Sequence, residues 1–102
     1  MGSKLIDQFS YLHFAVGIIM YFWGINLIWS LVLHTIFEIF ENTSVGMYII
    51  NKYITFWPGG KPYADGIINS IGDTIFFTLG WLSAYGVDNL GSYIGLYKNH
   101  IT

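Results

Sequence analysis

The chain has 102 residues, of which 54% are hydrophobic, 20% aromatic and only 10% charged. A typical soluble domain carries roughly 25% charged residues, and one this small could not bury so many rings, so the composition is that of a membrane protein. A net charge of −2, four Lys and Arg residues in all and no cysteine exclude a basic nucleic-acid surface, disulfides and thiolate metal sites.

The opening MGSKLIDQFS does not read as a cleavable signal, because no small-residue cleavage site follows the apolar run. That run extends from Phe9 to Phe40 without a charge before Glu38. As one helix of roughly 32 residues it would reach about 48 Å, against a hydrocarbon core of about 30 Å. The best break is WGIN, where Gly24 supplies a C-terminal glycine and Asn26 an N-cap. The spacing therefore favours helices over about 10–23 and 26–42, each short for a full span, over the alternative of one long helix whose glutamate end emerges into the headgroups. The stretch SVGMYIINKYITFW, about 44–57, mixes apolar, aromatic and one basic residue as an interfacial segment does, and WPGGKP then turns the chain. A last helix is predicted over about 65–86, roughly 33 Å long, with Gly72, Gly80 and Ala84 forming a small-residue stripe for close helix contact. The tail beyond it reads as interfacial. Aromatic clusters at Tyr21–Trp23, Tyr53–Trp57 and Trp81–Tyr85 sit where spans should end. The expected fold is a single all-α integral membrane domain with two to three short transmembrane or re-entrant helices plus the interfacial segment.

Polar residues thread through this apolar frame. His34, Glu38, Glu41 and Asn42 share one face of the second helix, and Asp65, Asn69 and Asp73 recur every four residues on the last. His13 lies in the first apolar segment. Four acids facing lipid would cost on the order of 10 kcal/mol, so the polar faces are expected to meet each other, the histidines, water or a ligand. Taken singly, each residue has a plainer reading: Asp65 as an N-cap, Glu41 and Asn42 as headgroup residues, Asn69, Asp73 and His34 as interhelical hydrogen-bonding partners. Taken together they point to a site, with Glu38, Glu41, Asp73 and His34 as candidate ligands for a divalent cation such as Mg, Mn or Zn.

The segments HFAVG, HTIFEIFENT and DGIINSIGDTIFFTLGW resemble a family of small uncharacterised bacterial membrane proteins with a W-E-x-x-E-N and D-S-x-x-N-S-x-G-D signature. More distantly the pattern looks like the VanZ-like group, which is linked to glycopeptide-antibiotic tolerance. The resemblance covers residues 13 to 81 and carries over His13, Glu38, Glu41, Asn42, Asp65, Asn69 and Asp73. This chain departs in having Phe37 for the tryptophan and Gly66 for the serine.

The leading expectation is thus a small polytopic membrane protein with a buried His/Glu/Asp/Asn cluster, placed in a cell membrane or an internal viral or organellar membrane. Its partners would be the lipid bilayer and copies of itself or a larger membrane assembly. Two further readings are a structural component of a virion or envelope, and a metal-assisted hydrolase of a lipid-linked substrate. Against the hydrolase stand the lack of an H-E-x-x-H motif and of any arginine to hold a phosphate.

Overall fold

Asp7 and Ser10 start the first helix by exchanging hydrogen bonds across its opening turn. The Asp7 carboxylate accepts from the Phe9 amide at 2.9 Å, and the Asp7 amide donates to Ser10 Oγ at 3.0 Å. These bonds satisfy end groups that a helix cannot pair internally. The computed structural model describes residues 4–54 and 66–100, and these contain four helices and no strand. They are α1 (Phe9–Phe22), α2 (Leu27–Glu41), α3 (Ser44–Lys52) and α4 (Ile67–Tyr93). The all-helical class read from the sequence holds.

The break between α1 and α2 falls at WGIN. Gly24 takes φ 79°, its amide donates to Tyr21 O, and the Ile25 amide reaches back to Met20 O at 3.2 Å. That is the paired closure of a left-handed glycine cap. Asn26 then opens α2 by accepting from the Trp29 amide at 2.8 Å. Thr43 does the same for α3, accepting from the Gly46 amide at 3.0 Å. The segment expected to lie at the interface over 44–57 thus begins as a nine-residue helix, while its last three residues, the WPGGKP turn and Asp65 lie outside the described residues.

The last helix does not stop at Gly86. It runs on to Tyr93, and the glycine that ends it is Gly95, at φ 84° with Leu96 N bonded to Gly91 O. Part of the tail expected to be interfacial is therefore helix. No helix among the described residues is both long and apolar enough to cross a membrane, so the expected single span over 65–86 is not matched. The reason is visible in the helices themselves. α1 and α2 are apolar but have 14 and 15 residues, roughly 21 and 22 Å. α4 has 27, but Asn69, Asp73 and Asp88 lie along it.

α1 and α4 run parallel and touch backbone to backbone. A Cβ on Gly17 would strike the carbonyl oxygen of Phe77, and one on Gly80 that of Phe14. α2 returns antiparallel beside them, fixed by Trp81 Nε1 donating to Ile25 O at 3.0 Å and by His34 meeting Thr74. Burial follows an unusual rule. Among the described residues the buried hydrophobic ones are only Met20, Tyr21, Ile50, Phe77 and Ala84, whereas Ser10, His13, Ser30, His34, Glu38, Glu41, Asn69, Asp73 and Asp88 are all buried. Large aliphatic side chains cover the outside, with Ile28 74% and Ile67 80% exposed. Buried polar side chains outnumber buried hydrophobic ones among the described residues.

Candidate functional site: a buried His–His–Glu cluster

The cluster is assembled from three helices. His13 comes from the middle of α1, His34 and Glu38 from successive turns of α2, and Asp73 from α4. Four residues apart on a helix, His34 and Glu38 stack on one face. One nitrogen from each histidine and one Glu38 oxygen all lie within 4.8 Å of one another, and all three residues are buried. His13 Nε2 is 3.2 Å from Asp73 Oδ2, so α4 joins the group through α1. The two imidazoles meet edge to face, with centroids 5.5 Å apart.

Neighbouring groups set the rings. His34 stacks on Phe77 at 4.5 Å and 17°, and its Nε2 is 3.2 Å from Thr74 Oγ1. Thr74 gives its own hydroxyl hydrogen to Ser70 O at 3.0 Å, so towards His34 it accepts. That network assigns the hydrogen to His34 Nε2 and the lone pair of the neutral ring to Nδ1. Two cavities flank the cluster. One, of about 350 Å³, is lined by both histidines with Val16, Met20, Phe37 and Phe77 among its apolar walls. The other, of about 520 Å³, is a groove between α2 and α4 lined by Glu38, Asn42, Ser70 and Thr74 among isoleucines.

The residues singled out in the sequence separate into roles. His13, His34, Glu38 and Asp73 come together. Glu41 is buried but is not among the residues grouped around the histidines, so of the four candidate ligands only His34 and Glu38 belong to the close group, with His13 the third member. Asn42 donates to Glu38 O at 2.8 Å and closes the end of α2. Asn69 donates to Lys4 O at 2.7 Å and to Asp7 Oδ2 at 2.9 Å, holding the segment before α1. Asp65 lies outside the described residues.

A second polar group at the other end of the bundle escaped the sequence reading. Buried Tyr21 donates its hydroxyl to buried Asp88, and the His100 amide donates to both Asp88 oxygens at 3.2 and 3.1 Å. His100 Nε2 donates to Phe22 O at 2.7 Å. A signal was present: Asp73, Phe77, Gly80, Ala84 and Asp88 follow one another by three or four, a single stripe along α4. Ending the helix at Gly86 cut Asp88 from that stripe.

Chemically, two imidazoles and a carboxylate at this spacing can take up a proton or hold a cation. No protein-family model matches the chain, and no curated protein or solved structure matches it at a significant level.

Proposed function

We propose that this chain is a small polytopic integral membrane protein whose inward polar faces form a functional core. The observation that carries the reading is the inverted burial: Glu38, Glu41, Asp73, Asp88, His13, His34, Ser10 and Ser30 are inside, while most of the large aliphatic side chains are outside. In water each large aliphatic side chain left exposed forgoes about 1.5–3 kcal/mol of burial, repeated over every helix here. Lipid removes that deficit, and it favours polar groups that satisfy one another within the bundle. The shortness of α1 and α2 fits a tight hairpin packed against α4 rather than two independent spans. α4 is long but not continuously apolar, because its polar stripe faces the other helices while its outward face carries Ile67, Ile71, Ile75, Leu79 and Leu82.

The resemblance to small bacterial membrane proteins, and distantly to the VanZ-like group, belongs to this proposal. It gains support from the meeting of His13, Glu38 and Asp73, which come from its three separate sequence segments. The same outward apolar faces would also suit assembly with copies of the chain or within a virion or envelope, which is the second reading. Hydrolysis of a lipid-linked substrate is the third, and it requires a metal in the core.

The test is fractionation of cells expressing the tagged protein. The expected result is retention in membranes after an alkaline carbonate wash and release only by detergent. Recovery as a monodisperse protein in detergent-free buffer would overturn the reading.

A further inference from the structure

We propose that His13, His34 and Glu38 are the protein ligands of a divalent transition-metal ion of the zinc class, with Asp73 orienting His13. The proposal goes beyond the membrane reading and does not depend on it, because it rests on the geometry of the cluster alone.

The first argument is distance. Zinc binds imidazole nitrogen and carboxylate oxygen at about 2.0–2.2 Å, which sets the edges of a tetrahedral site at roughly 3.4 Å. The candidate ligand atoms already lie within 4.8 Å of one another. Side-chain rotation on packed helices, by about an ångström and a half at most, would bring them to bonding positions. The second is ligand chemistry. Two imidazoles with one carboxylate suit zinc and its neighbours, whereas calcium and magnesium favour all-oxygen shells. The third is the surrounding shell. A metal-ligating histidine ordinarily gives its other nitrogen to a carboxylate, carbonyl or similar partner, which fixes the ring. Here Asp73 Oδ2 lies 3.2 Å from His13 Nε2, and Thr74 Oγ1 lies 3.2 Å from His34 Nε2. Each imidazole thus has a partner on one nitrogen.

Three protein ligands leave a tetrahedral ion one open position, the arrangement of catalytic rather than structural zinc sites. The cavities suit that role. The groove between α2 and α4 reaches Glu38 and Asn42, and the apolar chamber of about 350 Å³ borders both imidazoles. A water on the ion would lie beside a chamber that admits an apolar body. His34 and Glu38 are spaced H-x-x-x-E, a pattern too common to identify a site without His13 from the facing helix.

The experiment uses tag-free full-length protein purified in detergent, stripped with chelator and reloaded with Co²⁺ or Zn²⁺ alone. The expected result is about one ion per chain by elemental analysis, with Co²⁺ giving the intense visible bands of a four-coordinate site. His13→Ala, His34→Ala and Glu38→Gln should each abolish stoichiometric binding while far-ultraviolet circular dichroism is retained. Asp73→Asn should keep the stoichiometry and weaken affinity about 10–100-fold, as loss of an orienting partner does. His100→Ala, at the far end of the bundle, should change nothing. Absence of stoichiometric, four-coordinate Co²⁺ in the unsubstituted protein would overturn the proposal whether or not the variants fold. So would metal that survives His13→Ala and His34→Ala, or that disappears only in His100→Ala.

Discussion

Tyr21 is a buried aromatic residue at the top of α1, and its hydroxyl has one acceptor, the Asp88 carboxylate on α4. The Tyr21 ring is held edge-on against Trp81 and Tyr85, so the hydroxyl is delivered by a rigid side chain. Hydrogen bonds to charged acceptors contribute about 1.5–3 kcal/mol. Tyr21→Phe is therefore expected to destabilise the protein by about that amount, measured by denaturant titration in detergent. Loss under about 0.5 kcal/mol would mean that Asp88 is satisfied by the His100 amide alone. The contrast with the histidine cluster explains what the sequence disclosed at this scale. His34, Glu38 and Asp73 announced themselves because each is a polar residue in an apolar helical run. Tyr21 did not, since a tyrosine near a helix end is indistinguishable from a member of an interfacial belt. His13 stands out as a polar residue of the first apolar segment, but its role as third member of the close group depends on the facing helix. Nothing in the spacing of α2 alone separates Glu38, which joins the group, from Glu41, which does not.

The α1–α4 contact belongs to the scale of elements, and glycine makes it. Gly17 on α1 and Gly80 on α4 each face the carbonyl oxygen of the partner helix, so no side chain fits between the backbones. Gly72 stands in the same relation to the Leu5 carbonyl. Backbone is costly to displace, and forcing atoms into packed contacts typically costs about 1–3 kcal/mol. Gly80→Leu and Gly17→Leu are expected to lose at least this much, and to separate α1 from α4. Gly86 provides the control, because a Cβ there meets nothing within 4 Å. Gly86→Ala should raise stability by about 0.5–1 kcal/mol through the lower backbone entropy of alanine. Equal effects of Gly80→Leu and Gly86→Ala on the melting temperature would refute the close-packing argument. The stripe of Gly72, Gly80 and Ala84 was legible from its spacing, as were the helix break at Gly24 and the cap at Asn26. The end of α4 was not. Gly86 resembles a stop signal, and only φ distinguishes it from Gly95, which is where the left-handed turn occurs.

At the scale of the whole molecule the governing fact is which side chains meet the surroundings. Ile36 on α2 is 59% exposed and Leu79 on α4 is 47% exposed, both near the middle of their helices. Water and lipid make opposite demands at such positions. On a water-facing helix, replacing an exposed aliphatic residue by lysine stays within about 0.5 kcal/mol and improves solubility. In the middle of a lipid-facing helix the same change costs about 2.5–3.5 kcal/mol, less whatever the lysine recovers by extending towards the headgroups. The inverted burial therefore predicts that Ile36→Lys and Leu79→Lys, made one at a time, each destabilise the protein by more than about 1.5 kcal/mol in lipid bicelles. The measurement is the unfolding free energy of each variant against the unsubstituted protein at one lipid-to-protein ratio. Two side chains on different helices are used so that a single protein contact cannot explain both losses. Lysine tolerated at both sites, with a gain in solubility once detergent is removed, would show that these faces meet water. The polar core would then have to be explained without a membrane.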